Sequence, residues 1–322
     1  MADVRRAARE WAGSLDASPG RVLYLVGLSG GGDSLALAWA LSEEAPALGV
    51  EVGAVIVDHG LQPDSGDVAR RAATEAEKLG LQPVLVKSVA LDATSNVEEN
   101  ARIARYRAFT EALRETGAQG VVLAHSLDDQ AETVLLGLTR GSGPSGLKGM
   151  APQDGTVHRP FLGIERPTLR QALEDAGVAW WEDPHNSDER FARVRVRHQV
   201  LPVLERELGP GVAGALARTA ELFRADSTAL DAEASDWFDR HAVSAKDGSW
   251  SVPVDALEQA SVALQTRALR MLVMRVGGGA PSYAQTTQLR RLWEQWKGQS
   301  AMDVSGASVE RRDGQIVARA SR

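Results

Sequence analysis

The sequence predicts an α/β fold: a doubly wound, mainly parallel sheet with a smaller α+β domain at the C-terminal end. Three observations predict it. Four near-continuous apolar runs recur along the first half: VLYLVGL (22–28), VEVGAVIVD (50–58), PVLVKSV (83–89) and GVVLAH (120–125). Such runs suit strands covered on both faces, as in a parallel sheet. Helical patterns separate them, and alternation of this kind implies a doubly wound sheet. Near the end, MDVSGASVERRDGQIVARA (302–320) alternates in polarity about Asp313-Gly314, which reads as a hairpin turn.

The elements follow in order. MADVRRAAREWAG (1–13) reads as a short amphipathic helix without a signal-peptide core. Asp33–Ala45 repeats Leu and Ala at helical spacing. Residues 66–79 form a second helix, stopped by Gly80. Asn96 and Glu99 have the spacing of a capping box and open a helix through Arg102 and Arg105. Helices are expected over 127–138 and 165–176, and a loop at WWEDPHN (180–186). Residues 191–211 are basic, then apolar. The sequence GPG at 209–211 is the best linker candidate, dividing the chain into domains 1–208 and 212–322. Residues 212–243 read as helix and 253–276 as mostly helix, while GGGAPS (277–282) reads as a loop.

The length of 322 residues allows two domains, and 43% hydrophobic with 25% charged residues is ordinary globular composition. No apolar run is long enough for a bilayer, so a cytoplasmic protein without membrane partners is expected. A net charge of −7 argues against a generic nucleic-acid coat but permits a local basic patch. The chain has no cysteine. Thiolate metal sites, iron–sulfur clusters and persulfide chemistry are thereby excluded from its own side chains.

The stretch Ser29-Gly30-Gly31-Gly32-Asp33-Ser34 lies between the first apolar run and the first helix. Ligands of open α/β sheets bind at the carboxyl ends of strands. Glycines let backbone N–H groups turn toward an anion, and the helix that follows adds the positive end of its dipole. The expected ligand is a phosphate. A Walker loop requires a Lys that is absent here. Asp33 would repel phosphates unless a divalent cation lay between, and Mg²⁺ on pyrophosphate oxygens supplies that bridge. Ser34 is a candidate donor to a phosphate oxygen.

SGGGDS resembles the pyrophosphate loop, SGGxDS, of the N-type ATP pyrophosphatases, which cleave ATP between the α and β phosphates. Further stretches narrow the resemblance: VDHGLQ (57–62), NVEENARIARYRAF (96–109), AHSLDDQAET (124–133), LTRGSG (138–143), RPFL (159–162) and WWEDPHN (180–186). In this order, over about residues 21–205, they look like the tRNA(Ile)-lysidine synthetases. That family usually has Arg where this chain has Gln62, and a bulkier apolar residue where it has Gly32. The lack of cysteine fits the same choice, because thiolase relatives and glutaminase-coupled relatives typically need one.

The resemblance implies an adenine nucleotide alpha hydrolase-like fold, with ATP and Mg²⁺ at residues 29–34. It implies that Asp129 and Glu132 hold the amino groups of free L-lysine, that Arg105 stabilises charge on the transferring α-phosphate, and that Arg197 belongs to the catalytic site. On spacing alone, Asp129 and Glu132 share a face near a helix N-terminus, which reads as a pocket for a cationic substrate or a metal, with capping and a solvated acidic face as the alternative. His125 is a candidate base for the lysine amine, a phosphate ligand, or an ordinary strand-end histidine. His59, after the second strand, is placed at the adenosine site. Arg102 reads equally as an exposed helix charge.

Arg190, Arg193, Arg195 and Arg197 form the densest basic patch and are candidates for tRNA phosphates or a solvated face. A strand would put Arg193, Arg195 and Arg197 on one face, whereas a helix would group Arg193 with Arg197. Trp180 and Trp181 read as core at a domain edge. The expected reaction is ATP-dependent joining of lysine to the wobble cytidine of a CAU-anticodon tRNA(Ile), in a possible homodimer, with the C-terminal domain recognising tRNA. Two alternatives stay open: an ATP pyrophosphatase that amidates a small molecule, and a non-catalytic nucleotide- or tRNA-binding protein.

Overall fold

The computed structural model describes residues 1–15, 22–60, 65–89, 97–141, 143–181 and 188–321. Gln62, Asn96, Ser142 and residues 182–187 of the tryptophan loop lie outside them. The chain divides into two compact units, Met1–Glu221 and Leu222–Arg322. The division falls within one helix, α10 (Val212–His241), beyond the GPG stretch, which connects that helix to the preceding one.

The first unit holds a six-stranded sheet ordered β3-β2-β1-β4-β6-β5. Strands β1 (Val22–Gly27), β2 (Val50–Asp58), β3 (Val84–Ser88), β4 (Gly120–Val122) and β6 (Val157–His158) pair in parallel, and β5 (Gln153–Asp154) is antiparallel. The expected doubly wound sheet is thus present, with a short β5–β6 hairpin as an addition. Two-residue strands carry too little periodicity to be seen in sequence.

The order explains where a ligand can sit. The chain starts centrally at β1, moves outward to β3, then returns to the other side of β1 as β4. The connections therefore change face, and a crevice opens between the carboxyl ends of β1 and β4. On one face, α1 (Ala2–Gly13), α2 (Gly32–Glu44), α3 (Ser65–Lys78) and α7 (Arg166–Ala176) build a core with the sheet. On the other, α4 (Val97–Thr116) contributes Phe109 and Ala112 to a second core with Leu25, Val55 and Val121.

Helix α2 is buried all round from Ser34 to Leu41. Its even spread of Leu, Ala and Trp matches that position, since a helix enclosed on every side needs no polar face. In α3, Ala69, Ala72 and Ala76 are buried at helical spacing. These small residues let α3 approach closely, and a Cβ on Gly30 would stand 3.4 Å from the Ala72 methyl.

The rest of this unit is helical. Helix α5 (Leu127–Thr139) matches its expected span, and α6 (Gly143–Leu147) follows it. Residues 192–208 resolve the strand-or-helix alternative in favour of helix: α8 (Ala192–Arg195) runs through a π-helical turn, Val196–Val200, into α9 (Leu201–Leu208). The second unit has a five-stranded antiparallel sheet ordered β7-β8-β11-β10-β9. Strands β10 (Ala307–Arg312) and β11 (Gln315–Ala320) form the expected hairpin, with positive φ at both Asp313 (47°) and Gly314 (73°). β9 is Met302–Val304.

Strands β7 (Val243–Ser244) and β8 (Trp250–Pro253) and helix α13 (Tyr283–Glu294) were not expected. The region expected to be mostly helical contains α11 (Val254–Gln259) and α12 (Val262–Arg275).

Candidate active site

The glycine loop occupies the end of β1 at the sheet's switch point. Gly30 has φ 83°, a left-handed conformation that a side chain would strain. Gly31 caps α2 with extended backbone, so the first N–H groups of α2 lack partners within the helix. These donors and the helix dipole face the crevice end of the sheet, as an anion requires. The hydroxyl of Ser34, a candidate phosphate donor, bonds within the loop. Its Oγ donates to the Gly31 carbonyl at 2.9 Å and accepts from the Ser29 N–H at 3.2 Å. Ser34 therefore shapes the loop.

Gly32 departs from the usual bulky residue, and the structure supplies a reason. A Cβ there would lie 3.3 Å from Trp180 Cδ1, so the indole fills the space. Trp180 also packs on the main core, as expected. Trp181 donates its backbone N–H to the Gly30 carbonyl at 3.4 Å and carries Arg71 over its ring.

The loop between β4 and α5 forms the opposite wall. Ser126 caps α5 in a reciprocal capping box: Asp129 N–H donates to Ser126 Oγ at 3.3 Å, while Asp129 Oδ2 accepts from Ser126 N–H at 2.9 Å. The capping reading of Asp129 is therefore correct for one of its oxygens. Its other oxygen, Oδ1, accepts from Arg166 Nη2 at 3.0 Å and Arg197 Nη2 at 3.2 Å. Glu132, fully buried, accepts from Arg197 Nε at 2.7 Å and pairs with Arg193 Nε at 3.0 Å.

Arg166 completes the assembly. Its Nε donates to Asp33 Oδ2 at 3.0 Å, which ties the glycine loop to α5. Three carboxylates, Asp33, Asp129 and Glu132, thus meet three guanidiniums, Arg166, Arg193 and Arg197. Burial pushes the Asp33 carboxyl above its ordinary range, with Arg166 opposing. Burial also works against charge on Asp129, but Arg166 and Arg193 hold its carboxyl below the usual range. Arg166 itself is held more firmly protonated than usual: Asp129, Asp33 and Glu132 outweigh its burial.

Arg166 was missed in the sequence. It is the first residue of α7, separated from Asp33 by 133 positions, and a lone Arg before a Pro carries no local signal.

Two histidines and two further arginines border this cluster. Arg105 on α4 donates from Nε to His59 Nε2 at 3.4 Å. Arg105 is solvent-accessible yet crowded by protein, the situation of a side chain on a concave wall. Burial lowers both His59 and His125 to about 4, aided by neighbouring arginines, so both rings are neutral near pH 7. His59 Nδ1 and His125 Nδ1 are buried without a hydrogen-bond partner among the described residues. Arg159, from RPFL, is buried and donates to the Ala151 carbonyl at 2.9 Å and to Tyr106 Oη at 3.3 Å.

The basic run at 190–197 divides. Arg193 and Arg197 point into the site, with Arg193 also donating to Thr133 Oγ1 at 2.7 Å. Arg190 and Arg195 stay outside. Arg190 pairs with Asp188 at 2.7 Å, and Arg195 donates to the Glu189 and Arg190 carbonyls at 2.6 and 2.8 Å. Helical periodicity separates Arg195 from Arg193 and Arg197, since residues four apart share a face and residues two apart do not, while Arg190 lies in the turn before α8.

A parallel sheet with this loop at its switch point and paired carboxylates opposite defines the PP-loop class, and the PP-loop domain family matches residues 6–204. The TilS substrate binding domain family matches residues 253–317. The tRNA(Ile)-lysidine synthase of Leifsonia xyli is 50% identical over 297 residues, 92% of this chain and 89% of that protein. The tRNA(Ile)-lysidine synthase of Thermobifida fusca is 44% identical over 98% of this chain and 94% of its own. The U34-tRNA thiolase NcsA from Methanococcus maripaludis, solved with its [4Fe-4S] cluster, shares the fold, with TM-score 0.56 and 20% identity over 69% of this chain and 79% of that one. The chain belongs to the tRNA(Ile)-lysidine synthase family, ligases that form a C–N bond. No helix among the described residues is long and apolar enough to cross a membrane.

Proposed function

We propose that this chain joins the ε-amine of free L-lysine to C2 of the wobble cytidine in a CAU-anticodon tRNA(Ile), with ATP activating the cytidine. The observation that carries this reading is the Asp33–Arg166–Asp129/Glu132 cluster. Through Arg166 it links the glycine loop to the Asp129 and Glu132 pair, which supports reading both as parts of one site.

The cytidine O2 attacks the α-phosphate of ATP, the bond to the β-phosphate breaks, and pyrophosphate leaves. The lysine nitrogen then attacks C2, the C2–O2 bond breaks, and AMP leaves. Activation is needed because an amide-like carbonyl is a poor electrophile until its oxygen becomes a good leaving group. Loop 29–34 receives the leaving phosphates through its N–H groups and the α2 dipole. Arg105, accessible and without a carboxylate partner among the described residues, is suited to the charge on the α-phosphate. His59 orients Arg105 and borders the adenosine.

Asp33 fits a Mg²⁺ ion. Its Oδ2 takes the Arg166 bond, while Oδ1 has no side-chain partner among the described residues. Mg²⁺ carried by phosphates needs one or two carboxylates rather than a full protein cage. When bound, the ion neutralises charge on the departing pyrophosphate.

Asp129 and Glu132 hold the lysine ammonium groups. The amine must lose a proton from an ordinary pKa near 10.4 before it attacks. The surrounding Arg105, Arg159, Arg193 and Arg197 favour that loss, because neighbouring cations disfavour a further positive charge. Neutral His125, whose Nδ1 has no partner among the described residues, is the candidate acceptor on this reading. Arg190 and Arg195, on the outer face, together with the C-terminal domain, bind tRNA.

The test measures AMP release from ATP with and without lysine and unmodified CAU-anticodon tRNA(Ile), for wild type and Asp33→Ala. Release that requires both substrates and vanishes in the variant supports the reading. Release without tRNA points to a small-molecule ligase, and ATP binding without release points to a binding protein.

A further inference from the structure

We propose that Arg166 is an internal counter-cation: it occupies the amine-binding carboxylate Asp129 until a nucleotide at loop 29–34 draws it away, so that nucleotide binding admits lysine. This rests on the reading above that ATP binds at 29–34 and lysine at Asp129 and Glu132.

The carboxylates are already saturated. Asp129 Oδ2 is taken by Ser126 N–H and Oγ, and Oδ1 by Arg166 and Arg197. Glu132 is fully buried between Arg197 and Arg193. The cluster has equal numbers of carboxylates and guanidiniums, so it presents no uncompensated charge to an ammonium. A lysine can enter only if a cation withdraws. Arg193 and Arg197 have no contact with the glycine loop among the described residues, whereas Arg166 touches Asp33.

Phosphate oxygens arriving beside Asp33 give the Arg166 guanidinium a more highly charged partner, with planar bidentate geometry available. The backbone permits such a swing without moving the helix. Arg166 N–H is fixed to Asp128 Oδ2 at 2.8 Å, at the start of α7. Movement of the guanidinium toward phosphate removes one of the two donors on Asp129 Oδ1, leaving Arg197, and opens that position to the ammonium. By linkage, lysine then tightens nucleotide binding by the same factor.

Calorimetry on the full chain tests this, using L-lysine with and without Mg²⁺ and an ATP analogue carrying a methylene between the α and β phosphates. In wild type the analogue should tighten lysine binding about fivefold or more. Arg166→Gln should bind lysine without the analogue at least as tightly as wild type with it, and change less than about twofold on its addition. A merely structural arginine predicts the opposite, loss of lysine binding.

Arg166→Lys keeps a cation but cannot span Asp33 and Asp129. It should retain weak lysine binding without the analogue and also lose the dependence, which keeps the proposal testable if Arg166→Gln fails to fold. Full dependence in either folded variant, no dependence in wild type, or lost lysine binding in folded Arg166→Gln would overturn it. Wild type that binds the analogue but never lysine would overturn the amine-site reading itself, and the proposal with it.

Discussion

Two buried carboxylates in the first unit meet several arginines, yet they serve different ends. Glu44, near the end of α2, accepts from Arg5 and Arg9 of α1. Both arginine arms reach in from solvent, and the group ties one helix to its neighbour. Glu132 on α5 meets Arg193 and Arg197, and lies 3.7 Å from Arg166. Its cluster joins four separate segments: the glycine loop, α5, α7 and the α8 region. It is bordered by groups without such partners among the described residues, including His125 Nδ1, His59 Nδ1 and an Arg105 without a carboxylate. A buried ion pair alone therefore marks nothing. What marks the site is convergence of distant segments with polar capacity left over.

The comparison can be broken by experiment. The largest effect is expected at Asp33. Asp33→Ala should lower AMP release by about 10²–10³-fold or more, with folding retained by circular dichroism. Next, Glu132→Gln should destabilise the chain by about 3–5 kcal/mol in urea, because it leaves buried guanidiniums short of a partner. It should also raise the KM for lysine. Glu44→Gln should cost about 1 kcal/mol or less, since its partners are half exposed, and leave that KM unchanged. A changed KM in Glu44→Gln would end the distinction between staple and site.

Acid should act on the site histidines before it acts on the carboxylates. His59 and His125 have folded pKa values of about 4, below the unfolded value near 6.5. Between these limits the unfolded chain binds more protons, so stability is fully present above about pH 6.5 and falls toward pH 4. A double His59→Gln/His125→Gln variant should show a flatter urea midpoint over that range. Asp129, with its lowered pKa, adds a further loss only below the unfolded carboxylate value.

A smaller effect is expected at the cap. Ser126→Ala should cost about 1 kcal/mol and weaken lysine binding, since Asp129 loses the orienting hydroxyl and keeps only the backbone N–H of that residue. The smallest is Arg195→Ala on the outer face, expected within about 0.5 kcal/mol in stability. If this arginine meets tRNA phosphate, the salt dependence of tRNA binding should fall by about one unit of slope.

Much of this was legible in the residues. The apolar runs of β1 and β2, the enclosed composition of α2, and Asp313-Gly314 at the hairpin each state a burial pattern or a turn in a few neighbouring positions. SGGGDS could be placed at a strand end because both of its neighbours are regular. Asp129 and Glu132 could be put on one face because α5 is a strong helix.

Other features depended on the assembled chain. The bond from Ser34, a candidate phosphate donor, to the Gly31 carbonyl could not be read from the residues, since a hydroxyl takes whichever partner the local turn brings nearest. The basic run at 190–197 divides because Arg193, Arg195 and Arg197 lie on helix and Arg190 in the turn before it. Gly32 made sense only with Trp180 laid over it. Above all, Arg166 acquired its place from topology. By itself the sequence determined the elements, the loop and the paired carboxylates, because periodicity and turn chemistry are local. Only the tertiary structure decided which arginine meets which carboxylate, because a charge 133 residues away leaves no periodic trace and finds its partner through the order of the strands.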